Sequence, residues 1–119
     1  MRDLAMNNGE MNYSKLLGVL GLCTRAGALI CGTDNVCEAM RKRSPVGKPL
    51  LVLEACGCSA NTHKKITDKC TYYKVAHTAL PVDAATLAAA LGRSGELAVV
   101  GITDENLCRA VQKQLEAVR

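Results

Sequence analysis

Cys56-Gly57-Cys58, with His63 and Cys70 downstream, is the one arrangement in this chain whose residue types suggest a metal. On a helix the step from His63 to Cys70 would span about 10 Å, too far for two ligands of one tetrahedral zinc. Without Cys70 three ligands remain, and a C-x-C pair lacks the wider spacing of a zinc knuckle. No metal or other cofactor is expected. His63 and His77 have no partner visible in the sequence, and neither H-E-x-x-H nor G-x-S-x-G occurs. Both histidines read as surface or strand-end residues. Gly27 and Gly32 stand five apart, the spacing of a phosphate loop, but Thr33 and Asp34 follow where Lys and Ser/Thr are required. With no lysine to counter the β- and γ-phosphates, nucleotide hydrolysis is not expected, and the chain does not read as an enzyme.

Charge points elsewhere. Between Arg41 and Lys74 lie eight bases (Arg41, Lys42, Arg43, Lys48, Lys64, Lys65, Lys69, Lys74) and two acids, Glu54 and Asp68. That segment carries +6 of a chain whose net charge is +4. Concentrated bases favour a polyanion, because each neutralised phosphate releases condensed counterions; a solvated lysine-rich face is the plainer alternative. Aromatic residues make up 3%, namely Tyr13, Tyr72 and Tyr73. Binders of single strands need stacking platforms, so folded RNA read by groove, backbone and shape is the better target. The turn Gly32-Thr33-Asp34-Asn35 suits that task, since backbone N–H groups and short polar side chains at a helix start can reach a groove edge or a phosphate.

The elements that must position these residues follow from periodicity. Residues 1–10 read as a loose leader, and 11–119 as a single domain. Leu16, Leu17, Leu20 and Cys23 predict a helix from about Asn12 to Ala26, and Leu29-Ile30-Cys31 a short strand between glycines. Thr33 is placed to cap a second helix, with Val36, Ala39 and Met40 inward and Arg41 to Arg43 at its end. After the turn residues Ser44 to Pro49, Leu50 to Leu53 reads as a strand buried on both faces. Ser59 or Asn61 can cap a third helix carrying Ile66 and Cys70 inward. Tyr73 to His77 is the expected third strand. Pro81 and Asp83 open a fourth helix with Ala84, Leu87, Ala88 and Leu91 inward, ended by Gly92. Leu97 to Ile102 is a further strand, and Thr103 is the expected cap of a last helix with Leu107, Val111, Leu115 and Val118 inward. Strands alternating with helices imply an α/β fold, a three-layer αβα sandwich.

At 119 residues, 49% hydrophobic and 22% charged, the chain can bury one core without staples. Seven cysteines is an odd number, and most lie in apolar stretches, as expected of free thiols in a reducing compartment. The first ten residues have no apolar core for a secretory signal, and no apolar run approaches the roughly 20 residues of a membrane span. A cytoplasmic protein with no membrane partner is expected.

Leu16-Leu17-Gly18-Val19, Thr24-Arg25-Ala26-Gly27, Gly32-Thr33, Asn61 to Cys70 with Tyr73, and Val99 to Asp104 together resemble the bacterial YlxQ-like branch of the ribosomal-protein family of kink-turn binders. That family includes the archaeal protein L-seven-Ae and the eukaryotic protein L-thirty-e, and the likeness runs from about Tyr13 to Val118. It implies a sandwich with a four-stranded mixed sheet and, as partner, structured RNA: ribosomal RNA or another kink-turn RNA, with ribosomal or ribonucleoprotein proteins nearby. It also implies RNA contacts from the start of the second helix, Gly32 to Glu38, and from the loop after the fourth, Leu91-Gly92-Arg93. Gly32, Thr33, Asp34, Asn35, Glu38, Arg41, Lys42, Lys64, Lys65, Gly92 and Arg93 are thus the expected RNA-binding residues.

The archaeal pattern at the second helix is Gly-Thr-Asn-Glu-x-x-Lys, whose Asn, Glu and Lys contact paired guanine and adenine bases. Asp34, Asn35 and Glu38 stand at those positions here. Ionised Asp34 can only accept hydrogen bonds, Glu38 puts an anion where the pattern has a cation, and Asn35 keeps both donor and acceptor. Asp34 and Glu38 are expected to share one helix face as like charges. The alternative reading is a protein-interaction adapter on the same scaffold.

Overall fold

The computed structural model describes residues 4–42 and 47–117, with side chains from residue 14 onward. Arg43 and Val118 lie outside the described residues, as does the side chain of Tyr13. In chain order the elements are α1 (Leu4–Arg25), β1 (Leu29–Cys31), α2 (Thr33–Met40), β2 (Leu51–Cys56), α3 (Ala60–Tyr73), β3 (Ala76–Asp83), α4 (Ala84–Ala90), β4 (Val99–Ile102) and α5 (Glu105–Ala117). The helix α1 begins ahead of the expected Asn12 and takes in positions 4–10.

The strands form one sheet in the order β1-β4-β2-β3, with β2 and β3 parallel and the other pairs antiparallel. Strand residues alternate between faces, so the continuous apolar run of β2 serves two layers at once. Leu51, Leu53 and Ala55 join Leu16, Leu20, Leu87, Val111 and Leu115 in a core under α1, α4 and α5. Val52 joins Val36, Met40, Ile66, Cys70 and Val99 in a second core under α2 and α3. Two helix layers around a mixed sheet make the three-layer αβα sandwich that the alternation of elements predicts. Gly101 of β4 lies on the α2 side, where an added Cβ would come to 3.0 Å from the Pro49 ring, so a larger residue there would have to push that ring aside.

Besides α1, β2 runs over Leu51–Cys56 against the expected Leu50 to Leu53, and β4 over Val99–Ile102 against the expected Leu97 to Ile102. Three further boundaries differ, each for a physical reason. Tyr73 belongs to α3, not to a strand: Ile66, Cys70 and Tyr73 repeat at i, i+4 and i+7, and Tyr73 packs on the second core from the helix. The strand follows at Ala76, on the sheet edge, where Pro81 can be carried. The ladder is irregular there, with Ala79 paired to Glu54 and Asp83 to Cys56. Asp104, not Thr103, caps α5 by accepting from the Leu107 N–H at 2.9 Å. At α2 the capping position is Gly32 with φ 99°, and Thr33 is already helical. Among the described residues no helix is long and apolar enough to cross a membrane.

Candidate functional site

The start of α2 differs from the starts of the three helices after it. Ser59, Asp83 and Asp104 each accept from a backbone N–H of α3, α4 and α5, whereas Gly32 offers no side chain and α2 has no side-chain cap. The first intrahelical bond runs from Val36 N–H to Gly32 O at 3.0 Å. First-turn N–H groups of α2 thus present partial positive charge to whatever lies ahead of the helix. Ahead of it is a cleft of about 560 Å³ built by four segments: Gly32 and Thr33, the β2–α3 turn at Cys56 to Ser59, the start of α4 at Asp83 to Ala85, and the approach to β4 at Glu96 to Ala98.

Cations reach this region from separate elements. The Lys65 ammonium on α3 pairs with Asp34 at 3.0 Å, and that bond raises the Lys65 pKa above its usual value. Arg93, after Gly92 in the α4–β4 loop, puts a positive charge near Cys31 that favours its thiolate; burial outweighs it and leaves that thiol raised. Lys42 lines a second hollow of about 380 Å³ with Asn35 and Glu38. Other expected residues are not brought in. Arg41 sits at the far end of α2 and bonds Glu38 at 3.1 Å, and Lys64 projects about 100° around α3 from Lys65.

The structure gives partners to three α2 residues. Asp34 and Glu38 do not stand as a bare like-charge pair, because Lys65 neutralises one and Arg41 the other. Nor is Asn35 wholly open: its side-chain amide donates to Cys31 O at 2.9 Å, leaving its carbonyl oxygen and second N–H for a ligand.

A second polar centre was missed by sequence reasoning. Glu54, only 6% exposed, points to the α3 side of the sheet and bonds three side chains from three segments. His63 Nδ1 on α3 lies 2.7 Å from Oε2, and Cys58 Sγ, before the helix, 2.9 Å from the same oxygen. His77 Nε2 on β3 lies 3.0 Å from Oε1. An ionised carboxylate only accepts, so both facing imidazole nitrogens must carry protons. Burial works against ionisation of Glu54, but the bonds from Cys58, His63 and His77 outweigh it and hold its pKa below the usual carboxyl value. Burial and the neighbouring Glu54 push the Cys58 thiol up to about 11.

The two histidines, for which the sequence shows no obvious partner, therefore share one. The signal was Glu54 itself, an acid inside a run buried on both faces, which must be paired to be there. Cys70 stays away, in the second core, and among the described residues no group of three or more His, Cys, Asp or Glu could hold a metal ion. The centre ties the β2–α3 turn, one wall of the cleft, to the sheet.

These features define an αβα-sandwich protein with an uncapped α2 start facing a cleft, with Lys65 paired to Asp34 in the first turn of that helix and the Arg93 charge acting on Cys31 next to Gly32. The chain is 34% identical over 98 residues to RNA-binding protein YlxQ of Bacillus subtilis, which covers 82% of this chain and 92% of that protein. It is 32% identical over 111 residues to RNA-binding protein YlxQ of Enterococcus faecium, covering 93% and 99%. The chain belongs to the YlxQ family. No family model matches it. Among solved structures it is similar to a protein of unknown function from Bacillus halodurans, with TM-score 0.75 and 28% identity over 87% of this chain and 98% of that one. A 15.5 kD RNA-binding protein of Giardia lamblia shares the fold, with TM-score 0.71 and 17% identity over 91% and 88% of the chains.

Proposed function

We propose that this protein is a non-enzymatic, cytoplasmic RNA-binding protein that recognises structured, kink-turn-like RNA, ribosomal or other, through the start of α2 and the α4–β4 loop. The observation that carries this reading is the uncapped α2 start beside the cleft, with Lys65 and Arg93 arriving from other elements. Backbone N–H groups and long cations suit phosphate and groove edges, and Asn35 retains an acceptor and a donor for a base. The names of the two YlxQ relatives support RNA as the partner. Asp34 and Glu38, each held by a cation, weaken phosphate attraction, so this helix contributes less to affinity than one with a lysine at position 38.

The test is titration of a kink-turn duplex and a straight duplex of equal length at two salt concentrations. The reading expects tighter binding of the kink-turn and a steep salt slope. Equal, weak binding of both would move the chain to the adapter reading, in which the same face meets a protein.

A further inference from the structure

Tyr72 is 77% exposed, an unusual position for one of three aromatic residues in the chain. Its ring is not loose. Tyr73 meets it edge-on with centroids 4.8 Å apart and planes at 86°, and Tyr73 is itself packed on the second core. A large ring is therefore braced from the core side and left open to solvent.

The charges around it have an order. Lys65, Lys69 and Tyr72 stand at i, i+4 and i+7 on one face of α3. With Asp68 and Tyr73 they line a hollow of about 610 Å³. Lys65, at one end of this stripe, is the residue paired to Asp34 at the α2 start. The stripe thus runs from the candidate site toward the C-terminal end of α3, with cations first and the ring last.

We propose that this face binds an unpaired strand flanking the structured RNA, with Lys65 and Lys69 on its phosphates and Tyr72 stacked on a base. The proposal rests on the RNA-binding reading above. Charge decides between this and an apolar partner. Lys69, and Lys65 once an incoming phosphate displaces its exposed partner Asp34, stand with Asp68 beside an open ring and match a ligand that alternates anion and π-face, as a single strand does. Low aromatic content argued against stacking from composition alone, but one braced ring on a basic stripe is enough to hold one base.

The experiment compares a kink-turn RNA and a straight duplex of equal length, each with blunt ends and each carrying a single-stranded uridine tail on either end. Wild type, Tyr72→Ala, Tyr72→Phe and Lys69→Ala are measured at fixed salt. Wild type should bind one tailed RNA about tenfold tighter than the blunt one. Tyr72→Ala should erase that difference and leave blunt-RNA affinity unchanged, while Tyr72→Phe, which keeps the ring, should preserve it. Lys69→Ala should reduce the difference and flatten its salt dependence. Equal binding of tailed and blunt RNA by wild type would overturn the stacking site while leaving the α2 reading intact. Tail-dependent binding lost in Tyr72→Ala, with no preference for the kink-turn, would keep the stacking site and remove the reading it rests on. Binding of neither RNA would remove both, and self-association abolished by Tyr72→Ala would assign the face to a second copy instead.

Discussion

The Glu54 centre and the α2 ion pairs use similar polar groups on the same side of the sheet, yet their surroundings differ. Glu54 is 6% exposed, whereas the side chains of Asp34 and Glu38 are 92% and 70% exposed. Buried, a carboxylate must have every lone pair answered, and losing one partner costs the desolvation of the rest. Exposed, the same group exchanges its partner for water at little cost and remains available to a ligand. One centre holds the wall of the cleft; the other pairs can be opened by an incoming phosphate.

The sharpest test of this difference is Glu54→Gln. It keeps the shape but places an amide against three donors, and should cost about 2 kcal/mol in urea unfolding at neutral pH. A cost below about 0.5 kcal/mol, the range of ordinary surface substitutions, would mean the centre is as solvated as the α2 pairs. The pH dependence has a definite sign. Folding lowers the Glu54 pKa, so its contribution is full above the ordinary carboxyl value and lost as pH falls through the lower, folded value. The advantage of wild type over Glu54→Gln should hold at neutral pH and shrink in acid. An advantage growing with acidity would reverse the assignment.

The two histidines divide the centre into a buried and an open half. The His77 side chain is 19% exposed and that of His63 is 61%. His77→Ala should therefore cost about 1–2 kcal/mol, as a bond to a charged group sheltered from water, and His63→Ala less than about 1 kcal/mol. Equal costs from thermal or urea unfolding would show that exposure is not what separates the two.

Most of the fold was legible, and the reason is repetition. Leu16, Leu20 and Cys23 in α1, Leu51 to Leu53 in β2, and Val111 and Leu115 in α5 each repeat an apolar signal, and all are buried as expected; in α5 the expected Leu107 is only partly buried and Cys108 takes the inward place. What failed was non-repeating. Tyr73 extends a helical stripe by one more position, yet an aromatic beside Val75 also reads as strand, and only packing on the second core decides it. Asp104 took the capping role from Thr103 because its carboxylate reaches Leu107. At the site, Gly32 to Asn35 could be marked from turn chemistry. The Lys65 to Asp34 bond, spanning 31 positions, could not. Nor could the meeting of His63 and His77 on Glu54, since the strand that carries His77 was drawn to end there, not to begin at Ala76.

Among the exposed pairs, the larger effect is expected from Asp34→Asn. It releases Lys65, so the logarithmic salt slope for RNA should steepen by about one. The new amide can also donate to a base edge, so preference for the kink-turn over a straight duplex should increase. The unfolding midpoint should not move. A loss of affinity would mean that Asp34 orients Lys65 for the ligand and does not compete with it.

The smallest effect is expected from Glu38→Gln, and its smallness is informative. Glu38 and Arg41 form an i, i+3 pair with both side chains more than half exposed, an arrangement worth about 0.3–0.5 kcal/mol. Stability should therefore stay within that margin of wild type. Yet Glu38 borders the hollow shared by Asn35 and Lys42, so its charge repels phosphate there, and removing it also frees the Arg41 guanidinium. Affinity should rise about two- to threefold for kink-turn and straight duplex alike, because phosphate contacts position a nucleic acid without reading it. A rise confined to the kink-turn would place Glu38 beside a base. A stability loss above about 1 kcal/mol would exceed what an exposed pair can supply. The α2 pairs would then belong with the Glu54 centre as structural bonds, and the start of the helix would be held closed to phosphate.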